Sequence, residues 1–280
     1  MISTMVSQRP CISDVTLFES FDVCSGAFLG SLFTCVDPEE QAWIGRNDHI
    51  RKHALADADL ETGLPMVADD KVFPQVPDDV TLVSTHLENY YIKRPQIHHL
   101  LNEAQAELVP KMFLDEVYTH EFFKRHPQKH IVAYHGCVTR RGRITGIALA
   151  RLPKILEHRF FDDASKFDVL LFENDLRDAA QHIHKLGLAH NDLNPSNIGL
   201  DDDDRPVVLD WGSCKRIGED LDSAGTPPWV DMEDDCIVSK REHDTVAIDR
   251  IVRWVREQKD HQMMQCPALI PTHPTCDRCL

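Results

Sequence analysis

Asp192, Asn197 and Asp210 are the residues whose types and spacing most clearly carry chemistry. They stand in His190-Asn191-Asp192-Leu193-Asn194-Pro195-Ser196-Asn197 and, past an apolar run, in Asp210-Trp211-Gly212. Phosphoryl transfer needs one carboxylate to orient an incoming hydroxyl and accept its proton, and hard oxygen ligands to hold Mg²⁺. Asp192 suits the first task, Asn197 and Asp210 the second. A lone His-x-Asp recurs by chance in long chains, whereas Asp-x-x-x-x-Asn followed by Asp-aromatic-Gly is a far narrower pattern.

The neighbouring residues predict the elements that position this set. Ile198-Gly199-Leu200 reads as a short strand, 201–206 as a polar turn, and Val207-Val208-Leu209 as a β-branched strand that delivers Asp210. Upstream, Leu176, Ala179, Ala180, Ile183 and Leu186 recur at helical spacing, with Gly187 placed to end the helix before Leu188-Ala189-His190. That stripe reads as core packing, His182 and His184 as ordinary helix residues, and His190 as a brace of the loop. Four acidic residues, Asp201 to Asp204, read as a solvated turn.

Further upstream, Val80-Thr81-Leu82-Val83 and 89–95 predict strands. Residues 100–125 predict two helices or one kinked helix, broken at Val109-Pro110, because proline disfavours α geometry before it and suits a first helical turn. Residues 131–133 and 144–149 predict strands, with the basic turn Arg140-Arg141-Gly142-Arg143 on the path between them. Residues 1–75 hold only short apolar pieces such as Val15-Thr16-Leu17-Phe18 and 28–33, to which no job attaches. The composition of 73–79 is that of a linker and places a boundary near residue 76.

A chain of 280 residues can bury a substantial core. Its formal net charge of −16 argues against a nucleic-acid surface, which needs clustered Lys and Arg, and fits solubility. Nine scattered Cys give no paired framework, and the acidic N-terminal region lacks the pattern of a signal peptide, so reduced thiols and an intracellular, cytoplasmic setting are expected. The apolar stretch 27–36 is too short to span a bilayer. Cys276-Asp277-Arg278-Cys279, with His273 and Cys266, lacks the second paired half that a zinc site requires.

With these residues in view, the chain resembles the eukaryotic protein-kinase-like superfamily, and within it small fungal-type kinase-like proteins. The family's His-Arg-Asp-x-x-x-x-Asn and Asp-Phe-Gly motifs are matched by His190, Asp192, Asn197, Asp210 and Gly212. The resemblance implies an α+β, bilobal protein-kinase-like fold with a small β-rich N-lobe and a truncated, mainly helical C-lobe. It spans 76–258, between an N-terminal extension 1–75 and a tail 259–280. It further implies ATP and Mg²⁺ as cofactors and a protein substrate, with no nucleic acid and no membrane as partners; the oligomeric state stays unspecified. Lys93 would clamp the α- and β-phosphates and pair with Glu116, or with Glu121 as the fallback. Asp192 would be the catalytic base, Asn197 and Asp210 the metal ligands. His190, Gly212 and Asp244 would be structural, Asp244 anchoring the loop backbone.

Several departures accompany the likeness. No Gly occurs between Gly63 and Gly136, so the family's glycine-rich loop is missing before Lys93. Asn191 replaces the Arg that pairs with a phosphorylated segment, which implies no switch of that type, and Asn194 removes a cation near the transferred group. A shortened activation segment holds Ser213, Ser223 and Thr226 and ends in Gly225-Thr226-Pro227-Pro228-Trp229. Two alternatives stay open: a pseudokinase acting as a binding module, and a small-molecule kinase of the choline or aminoglycoside type, which shares His-Asn-Asp-Leu and Asp-Trp.

Overall fold

The computed structural model describes residues 15–22, 25–56, 59, 64–83, 86–101, 105–161, 165–222, 225–230 and 238–265. Ser223 and the tail 266–280, with Cys266, His273, Cys276 and Cys279, lie outside them. The architecture is α+β, with small antiparallel sheets and a few helices. It falls into two compact units, residues 1–125 with 133–151, and residues 126–132 with 152–280.

In the first unit, β1 (Thr16–Phe21), β2 (Phe28–Val36) and β3 (Ala42–Asn47) form an antiparallel meander. The short apolar pieces near the N-terminus are these strands. Their alternation buries Phe33, Cys35 and Trp43 with Leu55 and Leu64. The other face of β3 contributes Ala42 to a second cluster with Val72 of α1 (Asp69–Val72), Phe73 and Ile97. A second sheet joins β4 (Tyr90–Lys93), β5 (Tyr134–Arg140) and β6 (Arg143–Ala150) in the order β4-β6-β5.

Between β4 and β5 in sequence runs α2 (Val109–Arg125), with Pro110 in its first turn and Lys124 and Arg125 in its last. The helical reading of 100–108 is corrected: short 3-10 turns, Ile97–Leu101 and Ala106–Leu108, precede it. The strand expected at 80–83 is a single parallel bridge between Leu82 and Cys137. On one side the Thr81 carbonyl and the Val83 amide bond Cys137 at 2.7 and 2.9 Å. The Thr81 amide donates to Glu121 Oε1 at 2.6 Å, and the bare face of Gly136 admits Leu82, whose carbonyl carbon would lie 3.0 Å from an added Cβ.

The second unit is built on two long helices, α3 (Val169–Lys185) and α4 (Arg241–Gln265), which pack together. Asp168 caps α3, its carboxylate accepting the Leu171 amide at 3.0 Å. The stripe Phe172, Leu176, Ala179, Ala180 and Ile183 is buried, as are Ala247, Ile248, Ile251, Val252 and Val255 of α4. Short strands complete the unit: β7 (Lys154–Ile155), β8 (Leu188–Ala189), β9 (Ile198–Leu200), β10 (Pro206–Val208) and β11 (Lys215–Arg216), in sheets ordered β10-β9-β7 and β11-β8.

Ile131 and Val132 belong to this unit rather than to a strand continuous with β5. Val132 donates to the Val208 carbonyl at 3.1 Å and Val208 to that of His130 at 2.8 Å. The acidic turn is only partly a solvated loop, since Asp204 is held by the buried Arg159 through bonds of 2.5 and 2.7 Å. Among the described residues no helix is long and apolar enough to cross a membrane.

Candidate active site

In the second unit α3 ends at Gly187, whose φ of +81° turns the chain into β8. Beyond β8 the loop 190–197 is shaped by one buried carboxylate. Asp244 of α4 accepts the amides of His190 and Asn191, each at 2.9 Å, and a bond from His184 Nε2 at 2.8 Å. Three donors thus satisfy a fully buried charge, the condition under which burial is tolerated. His184 therefore has a specific role that helical spacing alone did not reveal.

His190 uses both ring nitrogens. Nε2 donates to the Leu209 carbonyl at 2.8 Å and Nδ1 accepts the Asp192 amide at 3.3 Å. Its ring lies 5.2 Å from that of Trp211, which is buried. Asn191 stands at φ +64° with its side chain entirely engaged. Nδ2 donates to the carbonyls of Ala189 and Ser213 at 2.9 and 3.0 Å and to Ser239 Oγ at 3.1 Å, while Oδ1 accepts from Lys240 N and His243 Nδ1 at 3.3 and 3.0 Å. Asn191 is thus a neutral hub of the loop.

Asp192 is half-buried and oriented by its own loop. Oδ1 accepts the Thr226 amide at 2.7 Å and Asn194 Nδ2 at 3.3 Å; Oδ2 accepts Asn197 Nδ2 at 3.2 Å. Asn197 also donates to the Asp192 carbonyl at 2.9 Å. Asn194 acts as a second brace, its Oδ1 accepting the Ser196 and Asn197 amides at 2.9 and 3.3 Å. The brace from Thr226 was not foreseen, because a hydrogen bond through a backbone amide leaves no mark in residue type, and Asn194 was read only as a lost cation.

The β9–β10 hairpin brings Asn197 and Asp210 to one end. Ile198 pairs with Val208, the Leu209 amide donates to the Asn197 carbonyl at 2.9 Å, and Asp210 follows immediately. Asp210 has φ +56°, unusual for a non-glycine residue, and Oδ1 accepts the Gly212 amide at 3.1 Å. Because Asn197 spends its amide nitrogen on Asp192, its carbonyl oxygen is the atom suited to a cation, as are the Asp210 carboxylate oxygens. One carboxylate and one amide, completed by water and phosphate oxygens, fit the way Mg²⁺ is commonly held. Among the described residues no group of three or more His, Cys, Asp or Glu is placed to hold a metal.

In the first unit, Lys93 at the end of β4 makes an ion pair with Glu116 of α2, the side chains 13% and 6% exposed. His120 Nε2 lies 3.8 Å from Glu116 Oε1, one turn along. Glu121 faces elsewhere: it accepts from Thr81 and, at 2.9 Å, from the Tyr134 hydroxyl. Burial raises the titration of that hydroxyl and pushes the Cys137 thiol up to about 11. The eight residues singled out in the sequence therefore form two groups, Lys93 with Glu116 in one unit, and His190, Asp192, Asn197, Asp210, Gly212 and Asp244 in the other.

Comparison with known proteins gives partial likenesses. No family model matches the chain. It is 30% identical over 102 residues, 35% of its length, to serine/threonine-protein kinase Sgk2 of Rattus norvegicus, of which the match covers 24%. Over 54 residues, 19% of its length, it is 37% identical to serine/threonine-protein kinase PKH3 of Eremothecium gossypii, of which 7% is covered. The chain thus spans about a quarter or less of these relatives' lengths, and the relationship they mark is kinase-like and partial.

Proposed function

We propose that this chain is an ATP- and Mg²⁺-dependent phosphotransferase of protein-kinase-like fold, acting on hydroxyl groups of a protein substrate. In this reading residues 76–258 form the kinase-like domain, with 1–75 an extension and 259–280 a tail. The observation that carries the reading is the Asp192–Asn197–Asp210 arrangement. A carboxylate is oriented by the same Asn that stands, across one hairpin, beside the strand end that leads into a second carboxylate. The partial likeness to two serine/threonine-protein kinases supports it, as does the ion pair of Lys93 with Glu116.

Asp192 would orient the acceptor hydroxyl and take up its proton, a role worth about 10²–10⁴-fold in rate. Asn197 and Asp210 would hold Mg²⁺, which when bound neutralises charge on the phosphates. Lys93, kept extended by Glu116, would grip the phosphates. Asn191, His190 and Asp244 would keep the loop in shape, and Asn194 would brace the Asp192 carboxylate itself.

A Mg²⁺-dependent ATP turnover assay with a generic protein acceptor tests the reading. Wild-type protein should transfer phosphate and Asp192→Asn should lose roughly 10²-fold or more. A Mg-ATP-induced rise in melting temperature should vanish in Asp210→Ala, since ligand binding stabilises the folded state by mass action. Binding without turnover would favour the pseudokinase alternative, and equal rates for wild type and Asp192→Asn would refute the assignment.

A further inference from the structure

The strand that carries Lys93 is tied to the N-terminal meander by charge. β4 pairs only with β6 among the described residues, and Pro95, which has no N–H, follows two residues after Lys93. The strand end bearing Lys93 therefore has one hydrogen-bonded neighbour to hold it. The next residue, Arg94, supplies a second anchor. Its two terminal nitrogens take both carboxylate oxygens of Glu40, and Nη1 also donates to the Thr145 carbonyl of β6 at 2.9 Å. Gly146 leaves room for this fork, since a Cβ there would sit 3.1 Å from Arg94 Nη1.

Glu40 occupies a position that backbone geometry reserves for other residues. It lies in the turn between β2 and β3 at φ +63°, where glycine is the usual occupant. The turn is rigid on its own account. Asp37 accepts the Gln41 amide at 2.8 Å and the Trp43 indole N–H at 2.8 Å, and the Glu40 amide donates to the Asp37 carbonyl at 2.9 Å. A second arginine grips the same turn. Arg141, between β5 and β6, donates to the carbonyls of Glu39 and Glu40 at 2.9 and 2.8 Å and to both carboxylate oxygens of Asp69. The turn is thus clamped at two separated points of the β4-β6-β5 sheet. A side chain held where a glycine would be less strained invites a use for that side chain.

We infer that Glu40 is a positioning residue for Lys93: through Arg94 it fixes the end of β4 from which the Lys93 amine reaches Glu116. Successive side chains of a strand leave on opposite faces, so anchoring Arg94 on one face sets the pitch of Lys93 on the other. This gives the N-terminal meander a part in the candidate site, whereas its sequence assigned it none. The consequence for nucleotide binding rests on the function proposed above; the effect on the Lys93–Glu116 pair does not.

The test measures the Lys93 amine directly. Wild type, Glu40→Gly, Glu40→Gln and, as a reference for the broken pair, Glu116→Gln are treated briefly with an amine-acetylating reagent, and labelling of Lys93 is read by peptide mass spectrometry. Mg-ATP affinity is measured in parallel. Glycine suits the backbone at position 40, so Glu40→Gly should keep the wild-type fold by circular dichroism, and Glu40→Gln carries the test if it does not. Lys93 labelling should rise toward that of Glu116→Gln, and Mg-ATP binding should weaken on the order of tenfold, equivalent to ~1.4 kcal/mol. Labelling that stays at the wild-type level in both Glu40 variants overturns the inference, since a merely structural clasp would lower stability without changing the amine. If labelling rises while wild-type protein binds no Mg-ATP, the positioning role stands and the nucleotide reading falls.

Discussion

The backbone amide of Thr226 donates to Asp192 Oδ1 at 2.7 Å, so the segment after the Asp210-Trp211-Gly212 motif returns to hold the carboxylate assigned as catalytic base. The approach is close. A Cβ on Gly225 would lie 2.7 Å from the Asn191 carbonyl oxygen and 2.5 Å from Val230 Cγ2.

Gly225→Ala should therefore push this segment off the loop, because the backbone oxygen of Asn191 has little freedom to yield. The expected outcome is a fall in kcat of roughly 10²-fold, as for an ångström-scale misplacement at a reacting group. Mg-ATP affinity should stay at the wild-type value. Steady-state kinetics with titration calorimetry separates the two, and an unchanged kcat would show that the Thr226 amide is dispensable.

Asn191→Ala removes a side chain that bonds Ala189, Ser213, Ser239, Lys240 and His243, and puts alanine at φ +64°. Unpaired buried polar groups and a left-handed alanine together should cost about 2–4 kcal/mol. Urea denaturation measures this directly. A loss below about 0.5 kcal/mol, the range of ordinary surface substitutions, would mean that the hub is replaceable by water.

Asp244→Asn keeps the shape but removes the acceptor that serves His190 N, Asn191 N and His184 Nε2, and turns an N–H toward donors. Breaking a buried charged network from one side should cost about 3–5 kcal/mol. The loop 190–197 should become exchange-labile ahead of α3, which hydrogen exchange would resolve. Equal protection of the loop in wild type and variant would contradict this account.

His98 packs against Phe18 and His99, with ring centroids 4.7 and 4.3 Å away, and burial pushes its titration down to about 4. Between about 6.5 and about 4 the unfolded chain binds a proton at this site that the folded chain does not. Stability from this group is thus complete above the unfolded value, declines as pH falls through that window, and levels off below it. The slope should be at most ~1.4 kcal/mol per pH unit, and His98→Asn should flatten it in denaturation curves between about pH 4 and about pH 7. Parallel curves for the two proteins would count against the assignment.

Much of the candidate site could be read in one dimension because its elements are local. The β9–β10 hairpin was visible in Ile198-Gly199-Leu200 and Val207-Val208, and α3 in its apolar stripe, since short hairpins and amphipathic helices write their period into nearby residues. The preference for Glu116 over Glu121 rested there on spacing within a resemblance. Both lie on α2, and only the packing of α2 against β4 and β5 turns one toward Lys93 and the other toward Thr81 and Tyr134. The meander β1–β3 was illegible for a similar reason, as its clusters draw on Leu55, Leu64, Val72 and Ile97 far along the chain.

By itself, then, the sequence determined the chemical inventory: a carboxylate, an amide and a second carboxylate at fixed spacing, a Lys on a strand, and the helices and hairpin that carry them. Tertiary structure decided which groups are engaged with which. Asn191 read as a lost cation and is a five-partner hub, Glu40 lies in a region to which the sequence attached no job and clasps Arg94, and Thr226 reaches Asp192 through an amide that every residue but proline possesses. Such contacts depend on long-range approach and on backbone groups, neither of which residue identity encodes.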